Sequence, residues 1–117
     1  MPQPKPTDPV EKTVNLLKQN NWAELYKTFA PSIDLAVLDQ SDIYAKDQAE
    51  VILNTFLSKN QPFTVKLIHH VDSNADLKFV VVMLSSKNGN FRTSISLHNN
   101  NGTFQINELH IETEKPK

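Results

Sequence analysis

The half of the chain that follows Pro62 has little freedom. Four runs alternate apolar and polar residues, Phe63 to Val71, Leu77 to Lys87, Phe91 to Asn99 and Thr103 to Glu112, and the turn clusters "DSNAD", "NG" and "NNNG" separate them. A period of two marks a strand with one buried face, and Asn-Gly between two such runs is a strong hairpin signal. The four runs therefore predict an antiparallel meander. A two-residue turn at Asn88-Gly89 pairs Leu84 with Thr93, Val82 with Ile95 and Val80 with Leu97. Closing the preceding hairpin across Ser73 to Asp76 sets Val65, Leu67 and His69 opposite Leu84, Val82 and Val80. In the last run Phe104 and Ile106 are even-numbered whereas Leu109 and Ile111 are odd, so one extra residue, a β-bulge, is expected near Asn107 and Glu108.

This register sorts the side chains onto two faces. One is almost wholly apolar, with Phe63, Val65, Leu67, Val80, Val82, Leu84, Phe91, Ile95, Leu97, Phe104, Ile106, Leu109 and Ile111, and needs helices to cover it. The other carries Lys66, Arg92, Ser94, Ser96, His98, His110 and Glu112, with Arg92 opposite Glu112. An apolar stripe of Ile68, Phe79, Val81 and Met83 crosses it. Fully burying each of those four groups is worth about 1.5 to 3 kcal/mol, and the stripe is expected to be a dimer surface.

The first half supplies the covering helices. Asp8-Pro9 is a start signal, and Val10, Val14 and Leu17 follow at helical spacing. Asn21 with Glu24 opens a second helix whose stripe is Trp22, Leu25, Tyr26 and Phe29, ended by Pro31. "SIDLAVLD" alternates as a strand, "QSD" turns the chain and "IYA" adds a short partner. From Lys46 to about Ser58 a third helix carries Ala49, Ile52, Leu53, Phe56 and Leu57 on one side. The fold class is α+β, with three N-terminal helices packed on a strongly curved antiparallel sheet that ends in a four-strand meander. Residues 1–7, in "MPQPKPTDP", read as a disordered proline-rich leader of the kind left when an export signal is removed, and residues 8–117 as one domain.

Charge narrows the partners. Twelve basic residues balance 13 acidic ones and are spread along the 117 residues, whereas a nucleic-acid surface needs clustered positive charge. The longest apolar run, "FVVVML", is too short for a membrane-crossing helix. There is no cysteine, hence no disulfide framework, and no cofactor is implied.

The segments "IDLAVL", "IYAKDQAEVILNTFLSKN", "NGNFRTSISL" and "FQINELHIE" resemble, across nearly the whole chain, a small bacterial family known only as a domain of unknown function. That family has the cone-shaped, cystatin-like fold of nuclear transport factor 2 and ketosteroid isomerase. The resemblance implies the fold, dimerisation through the sheet and an exported protein, and it supplies no catalytic residue. Family members usually carry serine where Ala45 stands, so the third helix lacks its customary cap here, and Asp47 compensates only in part.

The one stretch that looks like chemistry is "IHHVDSNAD", Ile68 to Asp76. Neighbouring strand residues point to opposite faces, so His69 and His70 cannot share an ion. His70 and Asp72 do share a face but make only two ligands, and His98 lies about 9 to 10 Å from His70 across two strand spacings, so no metal site is assigned. His69 is the ionisable strand side chain placed on the apolar face, at the mouth of a pocket lined by Trp22, Tyr26, Phe56, Leu67, Val80, Val82, Ile95, Leu97 and Ile106. Enzymes of the cone fold pair a carboxylate base with an oxyanion-stabilising group, and Glu108 at the bulge is the carboxylate these strands offer. His69, Glu108 and Tyr44 are thus the catalytic candidates. Three readings follow: a non-enzymatic homodimer binding a small apolar ligand or a protein partner, an isomerase or dehydratase using His69, and an accessory protein of an exported assembly.

Overall fold

The structure, a computed structural model, describes residues 8–114. The leader expected at residues 1–7 lies outside them. Along the chain run α1 (Pro9–Lys18), α2 (Trp22–Tyr26), β1 (Phe29–Val37), β2 (Gln40–Ala45), α3 (Lys46–Lys59), β3 (Thr64–Asn74), β4 (Leu77–Ser86), β5 (Gly89–Asn100) and β6 (Thr103–Thr113). No helix among the described residues is long and apolar enough to cross a membrane.

Helix starts follow local chemistry. Asp8 Oδ1 accepts from the Val10 N–H at 2.8 Å, Pro9 occupies the first turn, and Val10, Val14 and Leu17 are buried. Asn21 Oδ1 accepts from the Glu24 N–H at 3.3 Å. Ala45 gives α3 no side-chain cap, and Asp47 Oδ1 accepts only from the Gln48 N–H, at 3.2 Å. The second helix is shorter than its apolar stripe suggests. It ends at Tyr26, and Phe29 opens β1. Pro31 lies inside that strand, in the gap between the Phe29↔Ile106 and Asp34↔Glu108 pairs and just before pairing with β2 begins at Ser32, where no ladder needs its N–H. The stripe still reaches the core: Leu25 and Phe29 are buried, and the Tyr26 and Phe29 rings meet edge-on at 5.5 Å.

The strands form one curved six-stranded sheet in the order β2-β1-β6-β5-β4-β3, with register shifts in three of its ladders providing bends. It is mixed rather than wholly antiparallel, because β1 runs parallel to β6. This pairing sets buried Leu35 beside Leu109 and Val37 beside Ile111, so both strands turn their apolar residues to the same side. The β1–β2 turn falls on Leu38-Asp39, with Leu38 at φ 56, and not on "QSD".

Registers differ from expectation at both ends of β4. The β4–β5 loop is Lys87-Asn88, flanked by the Ser86↔Gly89 pair, so Val82 faces Thr93 and Val80 faces Ile95. Lys87 and Asn88 keep negative φ, and Gly89 alone takes positive φ, at 126, as in a turn closed by a glycine bulge. The shift is by two residues, which preserves the facing of every side chain. The extra residue in β6 is found where parity changes: Ser96 pairs Glu108 and Leu97 pairs Ile106, leaving Asn107 over. The core lies between the helices and one face of the sheet, formed by Val80, Val82, Leu84, Ile95, Leu97, Ile106, Leu109 and Ile111. Phe63 and Leu67, expected in that core, are instead exposed, since Phe63 precedes β3 and β3 is an edge strand.

Candidate functional site

The facing of the two adjacent histidines is the reverse of that expected. Leu67 pairs Val82 as predicted, but His69 then pairs Val81 and His70 pairs Val80, so Ile68 is an extra residue in a second bulge. The bulge turns His69 to the helix-free face and His70 towards α1. His70 Nε2 hydrogen-bonds Asp72 Oδ1 at 2.9 Å, and Lys78 Nζ donates to the same oxygen at 3.1 Å while sitting 5.6 Å over the Phe104 ring. The hydrogen bonds from His70 and then Lys78 hold the Asp72 carboxyl below its ordinary range. His70 and Leu67 line a groove of about 290 Å³ against Val10, Val14 and Lys18 of α1.

The catalytic candidates do not converge. Glu108 is on the helix-free face, because the extra Asn107 turns it outward and Leu109 inward. His69 shares that face but lies three strand spacings away, about 14 Å. Tyr44 is on β2, the opposite edge, and packs on the helix side against the core. Among the expected pocket residues, Val80, Val82, Ile95, Leu97 and Ile106 are at most 1% exposed and packed into a single core. Phe56 closes on them from α3, edge-on to Phe91 at 5.0 Å, and Trp22 and Tyr26 pack against the margin. The Tyr26 hydroxyl is buried without a hydrogen-bond partner among the described residues, and desolvation, helped by the Glu50 carboxylate, pushes its pKa up to about 12.

On the helix-free face Phe79 and Met83 are half-buried, and Val81 between them is only 2% exposed, shielded by its neighbours on the sheet. Ile68 at the bulge and Val71, which pairs Phe79, extend the apolar band to the edge. Next to it is a group the sequence reading passed over. Asp34 of β1 pairs Glu108 of β6, His110 follows two residues later on the same face, and their ligand atoms lie within 4.8 Å of one another. His110 Nε2 is 3.2 Å from Asp34 Oδ1, and Ser96 Oγ donates to Glu108 Oε1 at 3.2 Å. The bulge at Asn107 was the signal that Glu108 joins the face of His110. Asp34 enters through the parallel β1–β6 pairing, which no local pattern announces.

Comparison with known proteins places this geometry in a family. A family model described as "Domain of unknown function (DUF4783)" matches residues 10–112. A crystal structure of a DUF4783 family protein from Bacteroides uniformis superposes with a TM-score of 0.85 at 23% identity, covering 93% of this chain and 100% of that one. An uncharacterised protein with a cystatin-like fold from Caulobacter vibrioides gives 0.63 at 12% identity, covering 92% and 85%. A protein whose name describes an NTF2 with long sheet, the abbreviation of nuclear transport factor 2, gives 0.68 at 14% identity, covering 87% and 94%. At these identities the structural likenesses show the fold. No curated protein matches the chain.

Proposed function

Because the chain belongs to the DUF4783 family, whose description assigns it no reaction, we propose from its geometry that it is a non-enzymatic cone domain that pairs with a second copy of itself through the helix-free face of the sheet. The observation that carries this is the band of Phe79, Val81 and Met83, continued by Val71, on a sheet face that no helix among the described residues covers. Charge favours a second copy as the occupant. Lys66 lies on β3, at one side of the band, while Asp34, Glu108 and Glu112 lie on β1 and β6 at the other, with Arg92 on β5 opposite Glu112. A twofold axis along the band sets Lys66 of one copy towards the acidic side of the other, as a self-complementary interface requires. The dispersal of His69, Glu108 and Tyr44 supports binding over catalysis. A small apolar ligand in the cone has less support, since Val80, Val82 and Ile95 already fill the space it needs.

Sedimentation equilibrium at tens of micromolar tests the pairing. The protein is expected to be a dimer, and Phe79→Glu or Met83→Glu to be monomers with unchanged circular dichroism. Both positions are partly exposed, so a carboxylate there leaves the fold intact, whereas Val81 is too buried to serve. A monomeric parent protein, or a Met83→Glu variant that stays dimeric, refutes the reading.

A further inference from the structure

The group formed by Asp34, Glu108 and His110 lies on the same face as the apolar band, to one side of it, and its three side chains all come from one chain. Ser96 lies between the group and the band, pairing Phe79 on one side and Glu108 on the other, so Glu108 is two strand spacings, about 10 Å, from the band. The backbone dictates the triangle. Glu108 and His110 are i and i+2 on β6 and share a face, and Asp34 faces Glu108 from the neighbouring strand with its side chain swung 3.2 Å from His110 Nε2. Neither carboxylate has a lysine or arginine within ion-pair distance among the described residues. Beyond it on β2, Ile43 is the residue paired with Asp34, and it offers no charge.

We propose that these three side chains bind a divalent transition-metal ion, with zinc as the first choice. The donor set is two carboxylate oxygens and one imidazole nitrogen, which suits a borderline ion better than magnesium or calcium, whose sites are built from oxygen. Zinc bonds of 2.0–2.2 Å place tetrahedral ligand atoms about 3.4 Å apart. The Asp34–His110 separation of 3.2 Å already meets that spacing, and Glu108 reaches it by rotation of its own side chain. Ser96 steadies the carboxylate through its hydroxyl, an outer partner of the kind that orients metal ligands. Three protein donors leave a fourth position for water or for a donor from a bound molecule.

Calorimetric titration of zinc chloride into the chelator-treated, untagged full chain tests the site. One ion per chain is expected, with affinity in the micromolar range. Asp34→Asn, Glu108→Gln and His110→Gln are each expected to weaken it at least tenfold, and all three positions are partly exposed, so circular dichroism should not change. His70→Ala removes the other histidine–aspartate contact and should leave the affinity as it was. The Phe79→Glu variant should still bind zinc, which separates this site from the pairing of the sheets. In nitrogen-15 spectra the His110 ring should shift on saturation. Absence of saturable binding up to millimolar zinc, an affinity unchanged by both Glu108→Gln and His110→Gln, or calcium binding as tightly as zinc overturns the proposal.

Discussion

Replacing Ile95 with alanine asks whether the cone holds a pocket or a packed interior. Ile95 lies in the middle of β5 between Val80 and Leu109, and all three are at most 1% exposed. The substitution removes three carbons, and at about 0.8 kcal/mol per methylene the lost transfer free energy is about 2.4 kcal/mol. The vacated space is roughly 80 Å³, and with half of it recovered by relaxation the cavity contributes about 1 kcal/mol more at 24 cal/mol per Å³. The sum, about 3 to 4 kcal/mol, should appear in urea unfolding as a lower midpoint with an unchanged slope. Had Ile95 bordered an open cavity, its outer atoms would face space already and no new void would form. A loss below about 1 kcal/mol therefore refutes the filled interior and restores the case for an apolar ligand. Leu67→Ala, at a position 43% exposed in the groove beside α1, serves as the contrast and should cost under about 1 kcal/mol.

Three further substitutions test parts of the scaffold. Tyr26→Phe removes a buried hydroxyl that has no partner among the described residues, so at neutral pH it should be neutral or stabilising by up to about 1 kcal/mol in urea unfolding. Because the folded-state pKa of Tyr26 is raised from 10.0 to about 12, its contribution is intact below pH 10 and is lost as pH rises towards 12. The loss should be about 1 to 2 kcal/mol once the partial exposure of the ring is allowed for, and Tyr26→Phe should flatten that part of the stability profile. Ala45→Ser supplies α3 with the side-chain acceptor it lacks and should raise the thermal midpoint, by the equivalent of about 0.5 to 1 kcal/mol. Asn88→Ala cuts the hydrogen bonds from Asn88 Nδ2 to the Lys59 carbonyl at 2.8 Å and Asn60 Oδ1 at 2.9 Å, which tie the β4–β5 turn to the end of α3. It should cost about 1 kcal/mol and speed amide exchange in that turn.

What the sequence made legible is local or strongly buried. The caps at Asp8 and Asn21 could be read because each is settled within three residues. The bulge at Asn107 could be read because the residues on either side of it, Ile106 and Leu109, are both buried, so the change of parity between them carries several kcal/mol. The pairing of β1 with β6 joins residues some seventy positions apart, and no turn or spacing encodes it. That is why the meeting of Asp34 with Glu108 and His110 stayed hidden although each residue was visible.

The bulge at Ile68 escaped for a different reason, which bears on how the face beside it works. Read without interruption, the odd positions Val65, Leu67, His69 and Val71 are the more apolar set, and the even positions Lys66, Ile68, His70 and Asp72 the more polar one. Alternation fixes register only where one face is buried. Here Leu67, Ile68 and Val71 are each between 37% and 43% exposed, so neither facing of the strand gains much from burial. The balance then passes to polar contacts. With the bulge in place, His70, Asp72 and Lys78 share one side and form two hydrogen bonds, and Val71 moves beside Phe79 on the other. The same bulge that takes His69 away from the core therefore lengthens the apolar band on the face proposed to pair, and an edge strand with weak preference of its own adds Val71 to that surface.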